Sequence, residues 1–259
     1  SLGTFTDELG IVRYASNNTP RFDHDPTTGE SLGLLIEESR TNQILYSTIH
    51  TDNWNVLTGS VLSNNTTETT APDGTNTAGK WVPGNGATGW CSIYNKSVIS
   101  VTSGTTYTYS VWAKATHSDY TGFRMSGDVR DGGGVNILAD FVLSGDGSIS
   151  GGGTYNSASI TKYPNGWYRC VATATSDATT TEEPGFRPTA NGDGTKGFYA
   201  WGYQVEAGSF PTSYIPTNGS AVTRTQDSPL ITGTNFTDFY DETEGTLVLS
   251  SDVGYLATA

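Results

Sequence analysis

Hydrophobic and polar positions alternate with period two along several stretches of this chain, the pattern of β-strands that bury one face. The clearest stretch is 198–206, where four large side chains share one face: Tyr199, Trp201, Tyr203 and Val205. The positions between them carry mostly small or polar side chains, which let a backbone or a ligand come close. We therefore predict a central strand here, which Gly208 and Pro211 end.

Short strand patterns separated by Gly, Asn, Asp and Ser turns recur at the spacing typical of a β-sandwich. The predicted strands are 56–63, 79–82, 90–101, 105–115, 122–126, 135–143, 158–162, 167–176, 185–188 and 198–206. In 105–115 the inward positions are Tyr107, Tyr109, Val111 and Ala113. The glycine runs 131–134 and 151–153 are predicted to be loop tips. No helical periodicity of useful length is present, so the fold class is all-β.

Turn-forming residues set the predicted domain limits. Residues 1–32 are rich in Asn, Asp, Pro and Gly and predict an extended arm or linker with one short strand at 9–14. The sandwich then occupies 33–218. In 219–259, a turn or helical hook at 231–240 leads into a strand pattern at 244–250 that has no predicted partner. A lone exposed strand is a liability, so we interpret it as the start of a second, truncated β segment.

Composition supports this class and excludes two kinds of partner. The 259 residues include 32 Gly and 14 Tyr, with only 15% charged residues, which suits a protein of many strands and turns. The formal net charge is −13, since 26 acidic residues face 13 basic ones. Such a chain is a poor ligand for nucleic acid or for an anionic membrane surface, and no apolar run is long enough to span a bilayer.

The chain has two cysteines, Cys91 and Cys170, and both fall within strand patterns. Two buried thiols are the simpler interpretation, and a disulfide between them is the alternative.

An ordered series of motifs resembles a family of tailed-phage virion proteins, described as tail-fibre, head-fibre or structural proteins. The motifs are PRFDHDPTTGES (20–31), GLLIEESRTN (33–42), APDGT (71–75), YTYSVWAKA (107–115), NGWYRC (165–170), WGYQVEAGSFPTSYIPT (201–217) and GSAVTR (219–224). The resemblance covers roughly 20–250, and the order of the motifs is more specific than any one of them.

This resemblance implies a jelly-roll domain like a carbohydrate-binding module, followed by the opening of a laminin-G-like or concanavalin-like sandwich at 235–249. It implies a place on the surface of the phage particle, beside other virion proteins, and, because phage fibres are usually trimers, a homotrimer. It supplies no catalytic residues.

A glycan site needs an exposed aromatic ring for the apolar face of a sugar, with amide or carboxylate groups beside it. Four aromatic residues in or near predicted loops meet this description: Trp54, Trp90, Tyr120 and Tyr155. Packing in the sandwich core is the competing interpretation for each of them, and we assign Trp112, Trp167 and Trp201 to the core.

Jelly-roll modules of this type often hold a structural calcium ion. Six acidic residues supply hard oxygen ligands: Asp128, Asp131, Asp140, Asp146, Asp193 and Glu206. None of them lies in a calcium-loop spacing, so a structural calcium is an expectation without a defined ligand set. The run Asp23-His24-Asp25 is more typical of a solvated turn than of a metal site.

No enzyme motif stands out. His24, His50 and His117 lie in polar stretches outside any zinc or nucleophile-elbow pattern, and the glycine clusters lack the Lys-Ser/Thr of a phosphate loop. Together with the resemblance to phage virion proteins, this leads us to expect a non-enzymatic virion fibre or spike component that displays a glycan-binding sandwich for host attachment. The alternatives are a structural capsid or tail spacer without a ligand, and the accessory module of a polysaccharide depolymerase.

Overall fold

A computed structural model describes residues 3–57, 59–86, 93–127, 134, 135, 137–230, 234–237 and 243. Twenty strands are present in this part of the chain: β1 Gly3–Thr6, β2 Val12–Ala15, β3 Phe22–His24, β4 Ser31–Leu34, β5 Arg40–Asn42, β6 Trp54–Val56, β7 Val61–Ser63, β8 Gly79–Val82, β9 Ile93–Asn95, β10 Ile99–Val101, β11 Thr106–Ala115, β12 Gly122–Ser126, β13 Leu138–Val142, β14 Ser148–Thr154, β15 Ser157–Lys162, β16 Tyr168–Thr175, β17 Thr180–Glu182, β18 Gly185–Pro188, β19 Phe198–Ala207 and β20 Val222–Arg224. A 3-10 turn at Pro164–Gly166 and one helical turn, α1 Thr234–Thr237, complete the elements.

Two antiparallel six-stranded sheets form a β-sandwich. Sheet I has the order β15-β16-β11-β19-β8-β7, and sheet II has the order β14-β13-β12-β18-β9-β6. The chain passes repeatedly from one sheet to the other, as in a jelly roll. Their facing sides bury one large aromatic and aliphatic core that includes Trp81, Phe123, Phe141 and Phe186. The predicted all-β sandwich is confirmed.

Strand positions follow the sequence pattern closely where the pattern is regular. The predicted strands at 79–82, 122–126 and 185–188 match β8, β12 and β18 residue for residue. The prediction for 151–153 is wrong, since these glycines lie inside β14, which pairs with β13. At Gly153 an added Cβ would lie 2.0 Å from the Leu138 carbonyl oxygen, so glycine permits a close strand contact here.

The alternation of β11 is confirmed, but that of β19 breaks in the middle. Tyr203 and Val205 point into the main core as predicted, whereas Tyr199 and Trp201 belong to a second buried cluster. The break lies at Gly202, whose φ of +67° is a left-handed conformation, and the β11–β19 register shifts at the same level. A bulge adds one residue to a strand and so exchanges its two faces.

The second cluster covers the outer face of sheet I and has nine members: Val12, Ala71, Ala78, Trp112, Tyr163, Trp167, Tyr199, Trp201 and Tyr214. We predicted that Trp112, Trp167 and Trp201 lie in the core. They are buried, but in this second cluster and not in the space between the two sheets. Val12 comes from the hairpin β1–β2, and Tyr214 from the segment that follows β19. The predicted arm therefore contains three strands and the first two residues of β4 instead of one strand, and its first hairpin packs on sheet I.

Several predictions lie outside the described residues. They concern Trp90, Cys91, Asp128, Asp131 and the strand pattern at 244–250. Cys170 is a buried free thiol in the main core, and burial raises its pKa well above the ordinary value. No helix in the described ranges has the length and apolar character needed to cross a bilayer.

Candidate functional site

Four charged side chains tie the N-terminal segment to the segment after β19. Arg21 donates to Glu37 at 2.6 Å and is also ion-paired with Asp227. Arg224 is 1% exposed and lies 3.2 Å from Glu37, and its other terminal nitrogen donates to the Glu38 carbonyl oxygen at 3.0 Å. We call Arg21, Glu37, Arg224 and Asp227 the clamp. Because breaking a buried ion pair leaves a charge uncompensated, the clamp strongly favours this one arrangement of the segments.

Neighbouring contacts extend the clamp across the end of β19. Arg40 pairs with Glu38 and also donates to the Ala207 carbonyl oxygen. Buried Glu206 accepts hydrogen bonds from the backbone N–H of Thr212, at 3.1 Å, and from its hydroxyl. Strand β5 pairs with β20, which joins positions about 180 residues apart. We call the region where these two segments meet the seam. It contains much of the motif sequence at 20–42, 201–217 and 219–224.

A half-open cavity of about 170 Å³ lies between the β1–β2 hairpin and the outer face of sheet I. Its polar lining includes Asp23, Glu37, Arg169 and Tyr163. The Arg169 guanidinium stacks on the Trp112 ring at 4.6 Å from its centroid and donates to the Thr212 carbonyl oxygen at 2.6 Å. The Tyr163 hydroxyl lies 3.4 Å from the Thr6 hydroxyl.

Asp23 is the most distinctive group of this cavity. It accepts a hydrogen bond from the backbone N–H of Thr6 at 2.6 Å. Burial raises the pKa of this carboxyl, and the nearby charge of Glu37 acts in the same direction, although Arg169 opposes it. Glu37 itself accepts from Arg21 and from the N–H and hydroxyl of Ser213. These polar groups are largely engaged with one another, which is the character of a structural seam.

A polar row occupies the outer face of sheet II. Asp140, Arg124 and Arg187 lie side by side on three adjacent strands, because Arg124 is directly opposite both of the others. Their chain neighbours Phe123, Phe141 and Phe186 point into the core, so the row faces the other way. Gly185, two residues before Arg187 on β18, lies opposite Tyr94 of β9. Tyr94 is in turn the cross-strand neighbour of Asn55 on the same face. We call Asn55, Tyr94, Arg124, Asp140 and Arg187 the polar face.

Arg124 and Asp140 form a two-point contact, in which the second hydrogen bond, from Nη2 to Oδ2, measures 2.5 Å. The hydrogen bond to Asp140 raises the pKa of the Arg124 guanidinium, although partial burial opposes the shift. A bidentate pair fixes both side chains on the sheet. The polar face therefore presents the Asn55 amide and the Arg124 and Arg187 guanidinium groups, which are partly exposed, whereas Tyr94 and Asp140 are buried at 4% and 7% exposed.

The four predicted glycan platforms have different fates. Trp54 is 1% exposed inside the main core, where it packs on Phe186 and Tyr203, so its predicted exposure is wrong. Tyr120 is 7% exposed and packs against Phe198. Tyr155 is half-buried against the core, and Trp90 lies outside the described residues. The described platforms are not brought together, because aromatic side chains near short turns still reach the core of a sandwich.

The predicted calcium ligands are dispersed. Asp140 pairs with Arg124, Asp146 pairs with Lys162, and Asp193 accepts from the backbone of Thr195 and Lys196. These backbone hydrogen bonds lower the pKa of Asp193 to about 2. Within the described part of the chain, no three acidic, His or Cys side chains form a group that could hold a metal ion.

One further carboxylate is sealed inside the sandwich. Glu182 is 1% exposed and accepts hydrogen bonds from the Tyr109 hydroxyl, at 2.6 Å, and from the Val135 backbone. Burial and the charge of Glu182 raise the pKa of Tyr109 well above its ordinary value. A group enclosed in this way cannot meet a polysaccharide, so its role is in packing.

Sequence reasoning missed the polar face. Arg124, Asp140 and Arg187 stand at outward positions of predicted strands, so their alternation with core residues was visible. Their adjacency depends on which strands pair, and β12 and β18 are about 60 residues apart in the chain. Period-two patterns assign a face to each residue but do not determine its neighbours.

No protein-family model and no curated protein matches this chain. Among solved structures, it is similar to an arabinose-bound α-L-arabinofuranosidase (MgGH51), with 15% identity and a TM-score of 0.45 over 72% of this chain and 29% of that one. It is also similar to the CBM22-1–GH10 modules of Clostridium thermocellum endo-1,4-β-D-xylanase 10B complexed with xylohexaose, with 12% identity and a TM-score of 0.38 over 69% and 30%. The chain spans less than a third of either structure, and similarity this low supports no inference about function.

Proposed function

We propose that this chain is a non-enzymatic component of a bacteriophage virion, a fibre or spike module that attaches to a glycan on the host surface. The ordered motif series of 20–224 supports the virion assignment. The observation that carries the glycan part is the polar face on sheet II. It offers the partly exposed side chains of Asn55, Arg124 and Arg187 to sugar hydroxyls. Tyr94 and Asp140 are buried, at 4% and 7% exposed, and Asp140 holds Arg124 in place.

The position of the polar face also supports a display role. The clamp and the β1–β2 hairpin lie against sheet I, whereas the polar face lies on the outer side of sheet II. One side of the sandwich is therefore occupied by its own chain. We propose that the opposite side contacts the host.

A glycan array tests this assignment directly. We expect the protein to bind one glycan class, and Arg187→Ala to weaken that binding about tenfold or more, since a hydrogen-bonded charged partner is lost. Lys162→Ala is the matched control, because it removes one cation from β15 on sheet I. Trp90→Ala belongs in the same series as the sequence-predicted platform. Equal binding by wild type and Arg187→Ala would remove the polar face from the proposal.

Competition with intact phage tests the biological role. Excess free protein should block adsorption of the phage that carries this chain, because only a receptor-binding component competes for the receptor. The fibre assignment includes a homotrimer, in which three weak sites act together. Light scattering should then give a mass about three times 27.5 kDa. A trimer that neither binds glycans nor competes would favour the spacer alternative, and release of reducing sugar from host polysaccharide would favour a depolymerase.

A further inference from the structure

The Arg169 side chain lines the cavity between the β1–β2 hairpin and sheet I and has an unused hydrogen-bond donor. Its guanidinium is held in place, because it stacks on the Trp112 ring and its Nη2 donates to the Thr212 carbonyl oxygen at 2.6 Å. Nε of the same group is buried and meets no acceptor among the described residues. Buried donors are nearly always hydrogen-bonded in native proteins, so this nitrogen indicates an acceptor from outside the chain.

Asp23 brings an opposite charge to the same cavity. Its Oδ1 accepts from the backbone N–H of Thr6 at 2.6 Å. Burial raises the pKa of this carboxyl, and the charge of Arg169 opposes the shift, so the two side chains interact through space. In the described structure they nevertheless form no hydrogen bond or salt bridge with each other. A group placed between them can therefore bond to both.

A neutral ligand with hydroxyl groups fits these two partners best. A hydroxyl accepts from a guanidinium N–H and also donates to a carboxylate, and two hydroxyls on neighbouring carbons do both at once. An anion would meet the negative charges of Asp23 and Glu37, and a cation would meet Arg169, each of them an unfavourable contact. A zwitterion would lose the hydration of two charges in a partly enclosed site.

The volume of the cavity limits the ligand to about one ring. At about 170 Å³ it has the volume of about five or six water molecules. Pockets for drug-sized ligands measure about 300–1,000 Å³, so a chain of several sugars would not fit inside. Phe5, Val12 and Leu35 supply apolar walls for the C–H groups of a ring. Apolar walls with a few fixed polar groups are typical of a small-molecule site.

We infer that this cavity binds a single neutral polyhydroxyl ring, such as one monosaccharide unit or a cyclitol, between Arg169 and Asp23. Nε of Arg169 donates to one hydroxyl of the ring, and the Asp23 carboxylate accepts from the neighbouring hydroxyl. The inference does not rest on the proposed glycan contact, because the cavity shares no residue with the polar face and lies against the other sheet.

Ligand-observed NMR titration of the full chain tests the cavity with four neutral rings: D-glucose, D-galactose, D-mannose and myo-inositol. At least one should bind with a Kd on the order of millimolar, as expected for a ligand of about twelve non-hydrogen atoms. D-glucuronate, an anion, and glycine, a zwitterion, should bind at least about tenfold more weakly. Absence of binding by all four rings at tens of millimolar, or equal binding of glucuronate or glycine, would overturn the inference.

Leu35→Trp locates the site, because the larger side chain fills the cavity while Arg169 and Asp23 remain. It should weaken ring binding at least about tenfold. Leu34→Trp is the matched control and should leave binding unchanged, since Leu34 is 44% exposed and does not line the cavity. Asp23→Ala should also weaken binding at least about tenfold, because one hydroxyl loses its acceptor. Unfolding midpoints verify that each variant is folded, and Asp23→Ala serves if Leu35→Trp is not. Wild-type binding by the folded cavity variant, or equal loss in Leu34→Trp, would contradict the assignment.

Arg187→Ala separates this inference from the proposed function. It should leave the binding of a single ring unchanged, and Leu35→Trp should leave binding on the glycan array unchanged. Loss of ring binding in Arg187→Ala would place the ring on the polar face and so overturn the cavity site.

Discussion

Single residues decide which face of a strand becomes the core. Gly202 lets β19 bulge, and an added Cβ at this position would lie 3.0 Å from Cε3 of Trp112. The bulge directs Trp201 to the second cluster and Tyr203 to the main core. One glycine thus allows one strand to supply aromatic side chains to two separate clusters.

Gly202→Ala should lower the free energy of unfolding by about 2–4 kcal/mol, because a left-handed backbone strains an L side chain and the new methyl group presses on Trp112. Gly59→Ala is the matched control, since its φ is also +67° but its Cβ would meet nothing within 4 Å. It should cost only about 1 kcal/mol. Urea denaturation measures both values, and equal costs would mean that contact with Trp112 is unimportant.

Two aspartates near the β3–β4 hairpin should respond to pH in opposite ways. Burial raises the pKa of Asp23, so its folded state binds the proton more tightly than the unfolded state. Its contribution to stability is present at low pH and is lost as pH rises through the interval above the ordinary value of 3.8. The stability of Asp23→Asn relative to wild type should therefore increase as pH is raised from 3 to 7.

Asp25→Asn provides the opposite case. Hydrogen bonds from the backbone of Thr28 and Thr27 lower the pKa of Asp25, so its contribution is present above the ordinary value and is lost as pH falls. This variant should be less stable than wild type at pH 7, and its stability should approach that of wild type at pH 3. Urea denaturation at the two pH values measures the stability of both variants. If the stability difference from wild type changed in the same direction with pH for both variants, the two assigned pKa shifts would be contradicted.

Among the elements, β5 and β20 hold the N-terminal and later segments together. Their pairing is short, with three residues in each strand, so its stability depends on the side chains of the clamp. Glu37 contacts both Arg21 and Arg224, and it also accepts two hydrogen bonds from Ser213. This carboxylate therefore connects Arg21, Arg224 and the segment that contains Ser213.

Glu37→Gln should lower the free energy of unfolding by about 3 kcal/mol, because it leaves two buried guanidinium groups with one carboxylate fewer. Limited proteolysis should cut first within residues 3–42, as this segment loosens from sheet I. Glu68→Gln is the control, since Glu68 is 53% exposed and pairs with Lys80 at 2.8 Å. That exposed pair contributes at most about 1 kcal/mol. Similar proteolysis of the two variants would show that the clamp does not hold the segment.

At the scale of the whole molecule, strands distant in sequence meet throughout the sandwich. In sheet I, β11 lies between β16 and β19, and the β5–β20 pair closes a loop of about 180 residues. Closing such long loops costs entropy before contacts compensate for it. Folding should therefore be slow, on the order of seconds or longer, with the clamp formed late.

The order of events is measurable with the same clamp variant. If the clamp forms after the main barrier, Glu37→Gln should speed unfolding by about a hundredfold while leaving the folding rate nearly unchanged. Stopped-flow measurements across a range of urea concentrations give both rates. A variant that slows folding and leaves unfolding unchanged would place the clamp in the folding nucleus.

The sequence by itself determined the class of the fold and most strand positions, because period-two alternation and turn residues are local properties of the chain. It assigned Tyr107, Tyr109, Val111 and Ala113 to the core correctly. The tertiary structure decided what depends on pairing: the bulge at Gly202, the burial of Trp54, the clamp and the polar face. Those features join residues from distant parts of the chain, and a local pattern contains no information about which strands become neighbours.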